Sequence, residues 1–270
     1  LPNIDQQKSI YPSVMRPTAA LIPILVFVVF GTASAFDSFR PSPNQQVQLG
    51  KRAAKELRKQ EHVLPASDPR VKTLRRIARR ILSTFHDKDA VWEYSFDVID
   101  SKEINAFALP GGPTFFYTGL MDRLKTEDEL AGVLGHELTH VRKQHWAYAY
   151  ADSQKRNLGL SIILMAARAN ETLANLVGIT NDVVFELPFS RKHETEADDG
   201  GFDALVSLGY NPQGLADTFQ MLRDAIKDGT PPEFFSDHPD DKNRIKRIQE
   251  KIKATGTTFH SQTPLDYLDK

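Results

Sequence analysis

Apolar residues recur every three to four positions along most of this chain, with short alternating runs between them. That patterning predicts a mainly helical α+β fold. Leu130, Val133, Leu134, Leu138 and Val141 fall on one helical face. Thr126 and Glu129 form a capping box ahead of them, and the acids Glu127, Asp128 and Glu129 suit the positive end of the helix dipole. This helix is expected from about Glu127 into the 150s. Gly132 and Gly135 inside it cost about 1 kcal/mol each against alanine, a cost that is tolerable where another backbone passes close by. Two helices are expected earlier, over Gln46–His62 and Asp68–Phe85, the second with Asp68 as N-cap and Pro69 at its first position. Three more follow: Arg191 to about Leu208, stopped by Gly209; Asn211-Pro212 to about Lys227; and Pro239 to about Lys253. Val91–Ile99, Ile104–Ala108 and Thr114–Thr118 alternate as strands, with Pro110-Gly111-Gly112 as a turn. A small sheet against the long helix is therefore expected. Pro41–Asn44 reads as a loose entry, and Leu158–Ala167 as a buried, plug-like segment.

The N-terminus breaks this pattern. Thr18–Phe30 is nearly all apolar, preceded by Arg16 and followed by Ala33-Ser34-Ala35. A basic start, a short apolar core and a small-residue end make a secretory signal peptide over residues 1–35, cut after Ala35. The run is short for a membrane span, which needs about 20 residues; a retained N-terminal anchor is the alternative. Met15 is a candidate true start. Residues 36–270 then form a single domain, since no linker separates the motifs below. Export to a periplasm is the expected localisation, with peripheral membrane association as a further expectation.

Composition narrows the function classes. Among 270 residues, 34 basic and 35 acidic side chains leave a net charge of −1, which gives no nucleic-acid signature. Cysteine is absent, so disulfides and thiolate metal sites are excluded.

The strongest chemical signal is His136-Glu137-Leu138-Thr139-His140. Histidines four apart share a helical face and can grip one Zn²⁺. Glu137 stands about 100° round the helix, beside the metal, where a carboxylate can take a proton from water. A third ligand must be His, Asp or Glu. The extended pattern with a third histidine fails, because Lys143 and Trp146 occupy the required positions. His145 lies about 140° off the ligand face and reads as a structural hydrogen-bonding histidine. Glu171 and Glu186 lack a supporting partner. Glu194, in Ser190-Arg191-Lys192-His193-Glu194-Thr195-Glu196-Ala197-Asp198, is the best candidate; a solvated acidic helix start is the competing reading. Asp198, one turn on, can accept the free ring N–H of a ligand histidine. Glu196 faces elsewhere and reads as a salt-bridge partner.

These motifs resemble the gluzincin metallopeptidases of family M48, the HtpX and CAAX-prenyl-protease group, in their small periplasmic form. Glu103–Gly112 resembles that family's substrate-side strand and turn, and Asp237-His238-Pro239 with Arg244-Ile245 its C-terminal element. The resemblance covers about Gln46 to Ile252. It implies one zinc ion held by His136, His140 and Glu194, Glu137 as general base, and peptide-bond hydrolysis of unfolded or misassembled envelope proteins. It also tips Asn105–Ala108 from an ordinary sheet strand towards a strand on which substrate pairs. Two competing functions are a non-proteolytic zinc-containing assembly factor and a membrane-anchored prenyl-protein protease. His238 has three open roles: a cap of the last helix, an inhibitory fourth ligand, or a donor to the tetrahedral oxyanion, a role Arg244 can also fill.

Overall fold

The computed structural model describes residues 39–86, 91–166, 188–239 and 243–268. The expected signal peptide at 1–35, Glu171 and Glu186 lie outside them. Helix α1 (Pro43–Gln60) starts inside the expected loose entry, because Ser42 and Gln45 close a capping box there. Helix α2 (Pro69–Leu82) has Asp68 as N-cap, its side chain accepting from the Arg70 amide. Strands β1 (Ser95–Ile99), β2 (Ala106–Ala108) and β3 (Pro113–Tyr117) follow, each shorter than or shifted from its expected run. After a short helix α3 (Thr118–Met121) come α4 (Glu127–Arg142), α5 (His145–Ala166), α6 (Arg191–Ser207), α7 (Gln213–Lys227), α8 (Phe234–Asp237) and α9 (Arg244–Thr255). Among the described residues the strands form one sheet in the order β1-β3-β2, with β1 parallel and β2 antiparallel to β3. The fold is thus the expected mainly helical α+β class, with a small sheet beside the central helix. No helix among the described residues is long and apolar enough to cross a membrane.

Helix α4 is the axis of the core. The Thr126–Glu129 capping box is closed as the sequence predicts. Leu130, Ala131, Leu134 and Leu138 are fully buried, in one cluster with Ile77 and Ile81 of α2 and Leu215 and Phe219 of α7. The two glycines have the use expected of them. A Cβ at Gly135 would stand 3.0 Å from Gly201 Cα of α6, and one at Gly132 would stand 3.1 Å from Leu215 Cα. Alanine at either position would push α6 or α7 away from α4.

Several expectations are corrected here. The central helix does not run into the 150s: it ends at Arg142, and Gln144 turns the chain with a φ of 57° before α5 begins. Trp146, Ala147 and Ala151 are buried beyond the corner, so the apolar periodicity continues across it and hides the break. Leu158–Ala166 is the end of α5, not a separate plug. The last helix begins at Arg244, not Pro239, with Asn243 at its N-cap and no side-chain cap bond. Pro239 instead follows the C-cap of α8, where a proline is a natural stop. His238 therefore does not cap the final helix.

Candidate metal centre

His136 and His140 project from one face of α4, with ring centroids 4.7 Å apart. The close approach of α6 at Gly201 lets Glu194, in the first turn of that helix, reach them: Glu194 Oε2 is 3.6 Å from His136 Nε2, and Oε1 is 3.5 Å from His140 Nε2. The segment after α8 adds His238, whose Nδ1 is 3.2 Å from His136 Nε2 and 3.1 Å from Glu194 Oε1. All four side chains are buried. Their potential ligand atoms lie within 4.8 Å of one another. Zinc bonds of about 2.0–2.1 Å place tetrahedral ligands about 3.3 Å apart, and the observed separations bracket that value.

The proton positions make the same point chemically. His136 Nδ1 is 3.1 Å from Asp198 Oδ1, so it carries the ring proton and donates it. His140 Nδ1 is 3.0 Å from His145 Nδ1. With Nδ1 protonated in both rings, the Nε2 lone pairs of His136 and His140 face each other at 3.0 Å. Two lone pairs and a carboxylate converging in a dry pocket make a place that can hold a metal cation. The donor set, imidazole and carboxylate, suits zinc. Burial lowers the pKa of His136, and burial with neighbouring histidines lowers that of His140 further. Both shifts favour the neutral ring, the form in which an imidazole can bind a metal.

The surroundings brace these groups. Asp198 accepts from Arg244 Nη2 at 2.6 Å and Nε at 2.9 Å, and from Arg247 at 3.4 Å. Burial raises the Asp198 pKa, but Arg244 and His136 outweigh it and hold the carboxyl down to about 2. Arg244 Nη1 also lies 2.9 Å from Glu194 Oε2, and its guanidinium stacks 3.9 Å from the Phe219 ring centroid. With its donors aimed at these two carboxylates, Arg244 is a brace behind the site rather than an oxyanion donor. His145 bonds Glu196 Oε2 at 3.0 Å through Nε2, and burial lowers its pKa to about 4. Glu196 is also 3.8 Å from Lys192, so both residues hold the structural places expected of them.

Glu137 is buried beside the cluster, with Oε1 3.5 Å from His238 Nε2. Burial pushes the His238 pKa down, while Glu194 and Glu137 more than reverse it and leave it raised. Asn105–Ala108 is not in the cluster. Its last three residues are β2, at an edge of the sheet and packed beside α4. Sequence reasoning missed the bracing by Arg244 and the partner of His145. The first had a signal: a buried carboxylate pair four apart on a helix needs a buried cation, and the only hint of one was an arginine near the C-terminus.

A sequence model of peptidase family M48 matches residues 68–252, more than half of the chain. The chain is 29% identical over 229 residues to Metalloprotease LoiP of Escherichia coli (strain K12), covering 83% of this chain and 87% of that protein. It is 31% identical over 213 residues to Mitochondrial metalloendopeptidase OMA1 of Schizosaccharomyces pombe, covering 76% of this chain and 61% of the relative. It is 28% identical over 236 residues to Beta-barrel assembly-enhancing protease of Escherichia coli (strain K12), covering 81% of this chain and 47% of the relative. The chain thus spans most of the first relative and about half to three fifths of the other two.

Proposed function

The chain belongs to peptidase family M48 and is a metallopeptidase; from that premise we propose that it is a zinc-dependent endopeptidase with His136, His140 and Glu194 as ligands and Glu137 as general base. The observation that carries this reading is the convergence of two imidazole lone pairs and a carboxylate on one buried point, with Glu137 beside it. When bound, zinc supplies Lewis-acid polarisation of the scissile carbonyl and acidification of a water. Glu137 takes the proton of that water and returns it to the leaving amine. Asp198 holds the His136 ring with Nε2 facing inward, and Arg244 keeps Asp198 ionised and pairs with Glu194. A peptide pairing with the outer edge of β2 would lie along α4, held by main-chain bonds that are indifferent to sequence. The apolar run at 18–30 and the small-residue end at Ala35 support export. Together with the assembly-enhancing activity in one relative's name, they support misassembled envelope proteins as substrates. An intact Glu137 disfavours a purely structural zinc site, which needs no base.

The position of His238 favours one of its open roles. Its Nδ1 faces the point shared by the ligands, and its Nε2 faces Glu137. Placed so, it would fill the open position of a three-ligand site and stand against the base, which supports the inhibitory fourth-ligand role over the oxyanion donor.

The test is Glu137→Gln, assayed by casein cleavage and zinc content. Cleavage is expected to vanish while zinc stays at one per chain. Loss of zinc along with activity, or substantial remaining cleavage, would sink the assignment of Glu137 as base.

A further inference from the structure

Among the described residues, Gln144 alone has a positive φ without being glycine, at 57°. Left-handed backbone is uncommon for a residue with a Cβ, and it persists where the surroundings hold it. Gln46 of α1, buried, supplies that hold: its Nε2 donates to Gln144 Oε1 at 3.0 Å and to the Pro41 carbonyl at 2.9 Å. The corner has a geometric effect. Had α4 continued as a helix, His145 would stand about 140° round from His140. Instead α5 sets off in a new direction, and the buried His145 presents Nδ1 at 3.0 Å from His140 Nδ1. Stacking on His193, at 4.5 Å and 12°, steadies the plane of the ring.

Proton counting along this line leaves one arrangement. A neutral imidazole has a single N–H. With Nε2 of His140 giving its lone pair to a metal, Nδ1 carries the proton and needs an acceptor. The atom at that place is His145 Nδ1. To accept, His145 must carry its own proton on Nε2, and Glu196 Oε2 stands 3.0 Å away to receive it. Glu196 is the outer end of the line, with its side chain 38% exposed. His136 leans directly on a carboxylate, whereas His140 leans on a carboxylate through an interposed ring.

We propose that His145 and Glu196 are positioning residues of the metal centre: the Gln144 corner brings His145 to His140, and the Glu196–His145–His140 line fixes the tautomer and tilt with which His140 offers Nε2 to zinc. This rests on the reading of His140 as a ligand.

The experiment is chelator competition for zinc on the full chain, with thermal stability of the metal-free protein measured alongside. His145→Phe keeps a ring and removes the acceptor; zinc is expected to bind roughly 10–100-fold more weakly, the typical cost of losing such a partner. Glu196→Ala should weaken zinc in the same direction. Glu196→Gln, whose amide oxygen still accepts, should restore most of the affinity. In the His145→Phe background, Glu196→Ala should add nothing. A merely structural role would lower metal-free stability without separating the two Glu196 variants in zinc affinity, and that outcome overturns the proposal. So does unchanged zinc binding in Glu196→Ala, or an equal further loss in the His145→Phe background. If His145→Phe does not fold, the Glu196 pair decides alone. His140→Ala tests the underlying reading separately: it must lose zinc whatever His145 does. Loss there with tight zinc in Glu196→Ala defeats only the relay, while tight zinc in His140→Ala defeats the ligand assignment itself.

Discussion

The helix pair α4 and α6 and the segment around α8 bring equally buried side chains to the same point, yet they hold them differently. His136, His140 and Glu194 stand on helices whose backbones touch at Gly135 and Gly201. Each histidine of α4 has its outer nitrogen fixed by a group outside the cluster, Asp198 or His145. His238 follows a four-residue helix, at φ −112° and ψ 83°, and both its ring nitrogens face groups of the site itself. Its other supports are apolar or backbone ones: stacking on Phe234 at 4.3 Å, a tilted contact with Phe189 at 5.4 Å, and its own amide donating to the Phe234 carbonyl. Three groups are thus held by helices or polar partners that do not depend on a metal, whereas the ring nitrogens of the fourth meet only groups of the site. Burial alone says nothing about which ligand can leave; anchorage does.

The sharpest way to break this contrast is to remove one group of each kind. Glu194→Ala is expected to lose zinc affinity by more than the roughly 10–100-fold that a supporting partner costs, and activity with it. Zinc titration checks the order: if Glu194→Ala binds zinc as tightly as wild type, another residue is the third ligand. Asp198→Asn is expected to fall within the 10–100-fold range, because it weakens the hold on His136 without removing a ligand.

Asp198 also has a pH signature. Its carboxyl is held near 2 against an ordinary 3.8, so it contributes on the order of 2 kcal/mol to the metal-free fold. A depressed carboxylate stabilises fully above its unfolded value and loses that contribution as pH falls through the folded one. The metal-free protein should therefore lose stability between about pH 4 and pH 2, and Asp198→Asn should flatten that part of the denaturation profile. An unchanged slope in the variant would assign acid unfolding to other groups.

His238→Ala distinguishes the remaining roles by sign. With His238 as a displaceable fourth ligand, removal should raise basal casein cleavage while zinc affinity changes less than in Glu194→Ala. An oxyanion donor predicts the opposite, a fall in kcat of roughly 10²–10³-fold. A drop of that size would end the inhibitory reading and leave the contrast in anchorage without a functional consequence.

Legibility in the sequence divides along the same line. The helix pair was readable because its signals are local: a capping box, a 3.6-residue apolar period, His-x₃-His and Glu-x₃-Asp spacings that put side chains on one face, and a C-terminal glycine at 209. The α8 region was misread because a proline is ambiguous. Pro239 can open a helix or stop one, and only the tertiary position of His238 decides between them. The Gln144 corner carried no signal of its own, since no glycine or proline marks it and a distant glutamine, Gln46, holds it in place. Arg244 was seen, but its job was not: which carboxylate an arginine neutralises depends on how α9 meets α6, and that is a long-range fact.

The smallest expected effect serves as the control. Thr126 caps α4 about ten residues before His136: its side chain accepts from the Glu129 amide at 3.2 Å and bonds Gln262 at 2.6 Å. Thr126→Ala should cost about 1 kcal/mol, the usual value of a lost N-cap. In a domain of this size that is a drop in Tm of about 2–4 °C. Zinc affinity should not change, because the histidine face of α4 is pinned by α6 and α7 at Gly135 and Gly132 and not by its N-terminal cap. A lower Tm with unchanged zinc binding would show that the ligand geometry is set by helix-on-helix contact. A parallel fall in zinc affinity would mean that fraying at the cap reaches the ligands, and that the rigid half of the comparison is less rigid than its packing implies.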